Sequence, residues 1–399
     1  MSSINSTRKS TLTRRYLIKG LVTSACIPSF LSAAVINKTE TMQLYSGATD
    51  DMGQHWLVIF DVSGRPLNQL ALPSRAHQVF KHPFKPLICV VGRRPGRYLL
   101  LVHTNTGELI QTITPSQGHH FYGHGLFSHD GRYLVTTENH IATGEGRINV
   151  RDSETGFSIV KQYSSGGIGP HEIKLMPDGK TLVVANGGIK THPDKGREKL
   201  NLDTMRPSLA YIDMLSGQIL EEYALPDNLH QLSIRHIDVN QHDQVVAAMQ
   251  YQGDKTDQVP LLATHRRGQE IRPLKAPVNT YLAMKHYCGS VCFGATGNIA
   301  AATSPKGDRV TIWDINKETL VDEFRCRDAC GVAALSDDSF AITSGTGKVY
   351  YYSAEYTADD SADDQRMMPL STLSRESVNS YQANRQQSLA WDNHLSVSI

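Results

Sequence analysis

The sequence predicts an all-β fold, a single seven-bladed β-propeller closed by a clasp blade made from both termini, and three observations carry that expectation. Short apolar strands recur with a period in the forties. Tight turns such as His129-Asp130-Gly131 and Pro177-Asp178-Gly179 separate them, and no convincing amphipathic helix follows residue 40. Such periods belong to propellers and arrays, and alternating β-branched and small residues between Gly-containing turns mark antiparallel strands.

In chain order, the first element is a targeting segment. Thr13-Arg14-Arg15-Tyr16-Leu17-Ile18-Lys19 precedes an uncharged, weakly apolar run from Gly20 to Val35, and Ser32 and Ala34 place small residues for cleavage after Ala34. Paired arginines, an aromatic, an apolar pair and a lysine are similar to a twin-arginine export signal. Residues 1–34 are therefore expected to be the signal and 35–399 a single propeller domain in the periplasm. A lipoprotein anchor at Cys26 is less favoured, because Thr23 stands where that motif usually carries Leu. No later segment approaches the roughly 20 apolar residues of a membrane span.

The clasp blade is expected to take inner strands from Ser388-Leu389-Ala390-Trp391-Asp392 and Leu395 to Ile399, and outer ones from Gln43 to Tyr45, Trp56 to Asp61 and Leu67 to Leu72. Closing the ring in this way removes exposed sheet edges. Six further blades begin their innermost strands near residues 77, 124, 171, 236, 289 and 330. Two stretches break the period, Gly188 to Pro207 inside the fourth blade from the clasp, and the polar Ala358 to Glu376. Both are expected to be surface loops, the kind of segment on which binding residues often sit. Trp313 and Trp391 are expected to fill space between blades.

Lys and Arg total 40 against 39 for Asp and Glu. That balance gives no reason to expect nucleic acid or an anionic membrane as a partner. There is no Gly-rich phosphate loop, nucleophile elbow or C-x-x-C-His haem site, which argues against several common enzyme classes. Of the five cysteines beyond the signal, Cys288, Cys292, Cys326 and Cys330 fall as two C-x-x-x-C pairs. In an oxidising compartment disulfides are the plain expectation, with a soft-metal site as the alternative.

The most specific chemical signal is a histidine at the start of the innermost strand in four successive blades. His77, His124 and His236 each stand ten residues before Leu87, Leu134 and Val246, and His171 stands eleven before Leu182. The next blades place Gly289 and Cys330 at this position, and the clasp places Arg385 or Gln386 there. Inner strands line a propeller's channel, so the four imidazoles converge if they point inward. Neutral imidazole is a ligand for zinc, copper, iron and nickel. His119, His120, Tyr122, Glu172 and Arg235 are expected at the same rim. A position repeated in this way also suits a purely structural role, hydrogen-bonding one blade to the next. His129, His140, His242 and His265 fall at turns or outer strands and are expected to be solvated.

At Gly118-His119-His120-Phe121-Tyr122-Gly123-His124-Gly125, Gly169-Pro170-His171-Glu172-Ile173 and Ser233-Ile234-Arg235-His236 the chain resembles the domain-of-unknown-function family 1513. The resemblance covers nearly the whole mature chain. It implies a periplasmic propeller shaped like the quinoprotein-dehydrogenase and YVTN-repeat families, often encoded near imelysin-type iron-uptake proteins, and it implies no catalytic residue. Three functions compete: a metal-linked protein holding iron or copper through His77, His124, His171 and His236; a metal-free scaffold for a partner, for instance a periplasmic iron-uptake protein; and a lactonase-like or oxidoreductase-like enzyme with Glu172 and a His as acid and base.

Overall fold

The computed structural model describes residues 42–335, 338–353, 368–369 and 389–398. These build seven four-stranded antiparallel sheets, the seven blades of a propeller. Blade 1 is the clasp: Leu389–Ser398 is its innermost strand and pairs with Gln43–Asp50, after which His55–Asp61 and Pro66–Leu72 follow outward. The sequence had suggested two short inner strands near the C-terminus, and a single ten-residue strand replaces them. The innermost strands of blades 2 to 7 are Ala76–Lys81, His119–Phe127, Pro170–Leu175, Leu232–Val239, Ser290–Phe293 and Ala329–Ala334. Each touches the next around the axis, and Leu389–Ser398 closes the ring between Ala329–Ala334 and Ala76–Lys81.

Blade stacking follows from the two-residue repeat of a strand, which sends neighbouring side chains to opposite faces. In Leu87–Gly92 of blade 2, Ile88 and Val90 pack with Tyr45, Leu57 and Ile59 of blade 1. Cys89 and Val91 turn the other way, onto Phe121 and Leu134 of blade 3. Both tryptophans fill space as expected. Trp313 stacks on Tyr281 with centroids 6.1 Å apart and donates to Thr311 Oγ1, and Trp391 packs 4.7 Å from Phe60. Among the described residues no helix is long and apolar enough to cross a membrane.

Two further expectations are corrected. The five cysteines of the described region are all free thiols. Cys288 points its Sγ at the Leu261 carbonyl and Cys330 points its Sγ at Asp328, each 3.7 Å away, while Cys326 packs in the core between blades 6 and 7 with Cys292 against it. Cys288 stands two residues before Ser290–Phe293, which carries Cys292, and Cys326 and Cys330 stand on either side of the turn at Arg327-Asp328, so the members of each pair have different surroundings. His265 is buried rather than solvated, sharing a hydrogen bond with the Tyr211 hydroxyl at 2.7 Å. Arg385 and Gln386, expected at the inner position of the clasp, lie outside the described residues, as do the signal segment 1–34 and all of Ala358 to Glu376 except Met368–Pro369.

Candidate metal centre at the propeller axis

Five imidazoles meet at the axis, one from each of five successive blades: His394, His77, His124, His171 and His236. Their ring centroids lie 4.6–6.5 Å apart wherever two rings are in contact. The four histidines singled out by the repeat are thus brought together, and His394 of the clasp is the residue the sequence reading missed. Its signal was present: His394-Leu395-Ser396-Val397 repeats the His236-Ile237-Asp238-Val239 pattern of a histidine followed by an apolar, a polar and a valine.

Local backbone irregularity aims these rings. The pairing register slips between Ala76 and Val79, between Phe121 and Gly125, between Pro170 and Glu172, between Ile234 and His236, and opposite Asn393 and His394 in the clasp. Such bulges bend a strand and re-aim its side chains. Gly123 makes room for the cluster: its φ is +111°, and a Cβ there would overlap the His77 ring. That accounts for a glycine one residue before His124, where a side chain would be both strained and obstructed.

His77, His171 and His236 line a large vestibule and His124 and His394 do not, while His124, His236 and His394 are all buried. Two groups of three have ligand atoms within 4.8 Å of one another, His77 with His124 and His171, and His124 with His236 and His394. His124 belongs to both. Its Nε2 lies 3.2 Å from His394 Nε2. Two nitrogens bound at about 2.0–2.1 Å to one tetrahedral ion sit roughly 3.3 Å apart, so this spacing suits ligands of a common ion.

Electrostatics keep the lone pairs available. Burial, reinforced by the neighbouring imidazoles and cations, pushes His77, His124 and His171 well below the ordinary imidazole value and His394 down to about 3. Neutral imidazole is the ligating form. The Nδ1 atoms of His124 and His171 are buried without a hydrogen-bond partner. An unsatisfied buried polar atom is costly, and a bound ion is one of its accepted explanations.

Glu172 lies beneath the ring, buried and off the vestibule wall. Its Oε2 meets His236 Nδ1 and the Ile237 amide, both at 3.2 Å. A carboxylate on one ring nitrogen fixes the tautomer and leaves the other nitrogen to ligate. Burial raises the Glu172 carboxyl, but Lys174 and the hydrogen-bonded His236 outweigh it and hold the group at about 2. Lys174 bridges Glu172 at 3.6 Å and Asp238 at 3.1 Å, so a short charged chain runs from the cluster along the channel.

The remaining expected rim residues divide. His120, Tyr122 and Arg235 line the vestibule. His119 does not: its Nδ1 contacts the Gln117 carbonyl at 2.9 Å and its ring packs 5.0 Å from His140, away from the axis. The insertion from Gly188 to Pro207 forms one wall, as Ile189, Thr191, His192 and Arg197 show, and Arg94 ties it to blade 2 by donating to Thr191 Oγ1 at 2.6 Å. In blades 6 and 7 the inner positions are Gly289 and Cys330, and no cysteine joins a group of ligating side chains among the described residues.

A family model described as "Protein of unknown function (DUF1513)" matches residues 70–398. No curated protein matches the chain. Among solved structures, hydrazine synthase of Kuenenia stuttgartiensis is similar in shape, with a TM-score of 0.58 and 15% identity over 75% of this chain and 90% of that one. At that identity the likeness bears on the fold, since one fold hosts many unrelated functions.

Proposed function

The chain belongs to the DUF1513 family of proteins of unknown function, and we propose that it holds a transition-metal ion among the five histidines at its propeller axis. The observation that carries this reading is the pair of overlapping histidine triads sharing His124, with ligand atoms within 4.8 Å. A structural role for the rings fits less well, because two of the five leave a buried nitrogen unpaired. All-imidazole coordination suits zinc, copper, iron or nickel, and the sequence expectation of iron or copper falls within that set. The vestibule-facing position of three rings leaves a side of the ion open to a small molecule, the arrangement of a reactive or exchanging site rather than a closed structural one.

In this reading the protein works in the periplasm after twin-arginine export, which carries folded proteins and so lets the site be filled beforehand. A link to an iron-uptake partner rests on the family resemblance alone. The test is metal analysis of protein exported by its own signal, beside a variant carrying both His124→Ala and His236→Ala. About one ion per wild-type chain, lost in the variant, supports the proposal; a metal-free wild type after growth with iron, copper and zinc supplied refutes it.

A further inference from the structure

The vestibule above the histidines has a volume of about 1310 Å³, and its wall carries nine lysines and arginines with no aspartate or glutamate. The whole chain is nearly balanced, at 40 basic against 39 acidic residues, so this concentration is local. Arg75 and Arg235 lie beside or on inner strands, Arg93 and Arg94 follow Leu87–Gly92, the second strand of blade 2, and Arg197, Lys199, Lys255, Lys285 and Lys306 come from loops around the opening. Among the described residues only Arg75 of these nine is salt-bridged, to Asp392. Acidic neighbours exist nearby in sequence, Asp194 and Glu198 on the insertion and Asp254 and Asp257 on the next loop, but none lines the cavity.

Two of the guanidiniums are placed as ligand-binding groups. Arg93 and Arg235 are half-buried. Neither has a carboxylate partner among the described residues, and the Arg235 Nε is buried without any hydrogen bond. A guanidinium offers a rigid fork that matches carboxylate or phosphate oxygens, and its buried donors are costly to leave unmade. Cations grouped in a low-dielectric cleft concentrate anions there.

We propose that the vestibule binds a small organic polyanion, a molecule carrying at least two separated carboxylate or phosphate groups, with Arg93 and Arg235 holding acidic groups directly above the histidine cluster. The cavity is far larger than a single tetrahedral phosphate, and the cations come from blades on different sides of the axis, which favours separated charges over one compact ion. Anion binding itself stands independently of the metal reading. One consequence does rest on that reading: a bare cation approaching from this side is repelled, so the metal enters, or is held, together with an anionic ligand.

The test titrates citrate and inorganic phosphate calorimetrically into the mature chain, both metal-stripped and zinc-loaded, at low and high salt. Citrate is expected to bind the metal-stripped protein more tightly than phosphate does, to weaken with salt, and to lose about tenfold or more in affinity in Arg93→Gln and in Arg235→Gln. Unchanged melting temperatures in the two variants would show that they fold. Failure of citrate to bind wild type, equal or tighter binding of phosphate, or wild-type citrate affinity in both variants overturns the proposal. Citrate binding by a protein that never retains metal removes the metal reading and leaves this one, and retained metal without citrate binding does the reverse.

Discussion

Substituting His124 separates a shared metal centre from a merely crowded set of rings. His124 is fully buried, contributes to both histidine triads and has its Nε2 3.2 Å from that of His394. His124→Ala leaves each triad with two ligands, whereas His77→Ala leaves His124, His236 and His394 intact. Loss of a mere supporting partner already costs about 10–100-fold in metal affinity. Removing a ligand from both triads is therefore expected to cost at least about 100-fold, or ~2.7 kcal/mol, and removing His77 about tenfold. Stability should respond more weakly, by about 1–3 kcal/mol, through the void and the unpartnered His394 nitrogen. Competition between each purified variant and a zinc chelator gives the affinities, and thermal melts give the stabilities. Equal losses in the two variants, or wild-type affinity in His124→Ala, would refute the idea that His124 is the common ligand.

Other expected outcomes follow from neighbouring contacts. Gly123→Ala places a Cβ against the His77 ring at a φ of +111°, so zinc affinity should fall by about tenfold while circular dichroism stays that of a β-protein. Arg151→Leu leaves Glu138 buried without its 3.0 Å ion-pair partner and should lower unfolding free energy by about 3–5 kcal/mol in denaturant titrations; a shift under ~1 kcal/mol would show the pair to be dispensable. Deleting the chain from Leu389 removes the inner strand of the clasp and His394 together, and size-exclusion chromatography should find aggregate rather than monomer. A monomer melting like wild type would contradict closure of the ring by that strand.

The fold was legible because its cues are local and repeated. Each inner strand announces itself by a histidine, glycine or cysteine followed by apolar residues, and the Asp-Gly turns set the period. The clasp was harder, since its four strands come from opposite ends of the chain and its inner strand contains polar Asp392, Asn393 and His394 where the sequence suggested a break. Those three residues lie at a bulge, and the bulge is what turns His394 toward the axis. The basic vestibule was not legible at all. Arg93, Arg235 and Lys306 belong to blades 2, 5 and 6 and Lys285 to the connection between the last two, and nothing in a near-zero net charge shows that they converge. The cysteines misled because even spacing in sequence fixes no geometry: Cys288 precedes the strand that holds Cys292, a turn separates Cys326 from Cys330, and the thiols pack against different neighbours.

X-ray absorption spectroscopy of the zinc-loaded mature protein reports the atoms around the ion. Coordination by the axial histidines gives three or four nitrogen scatterers at about 2.0–2.1 Å with the outer-shell pattern of imidazole, diminished in His124→Ala. A sulfur shell near 2.3 Å, or a hydrated ion without imidazole, would contradict it.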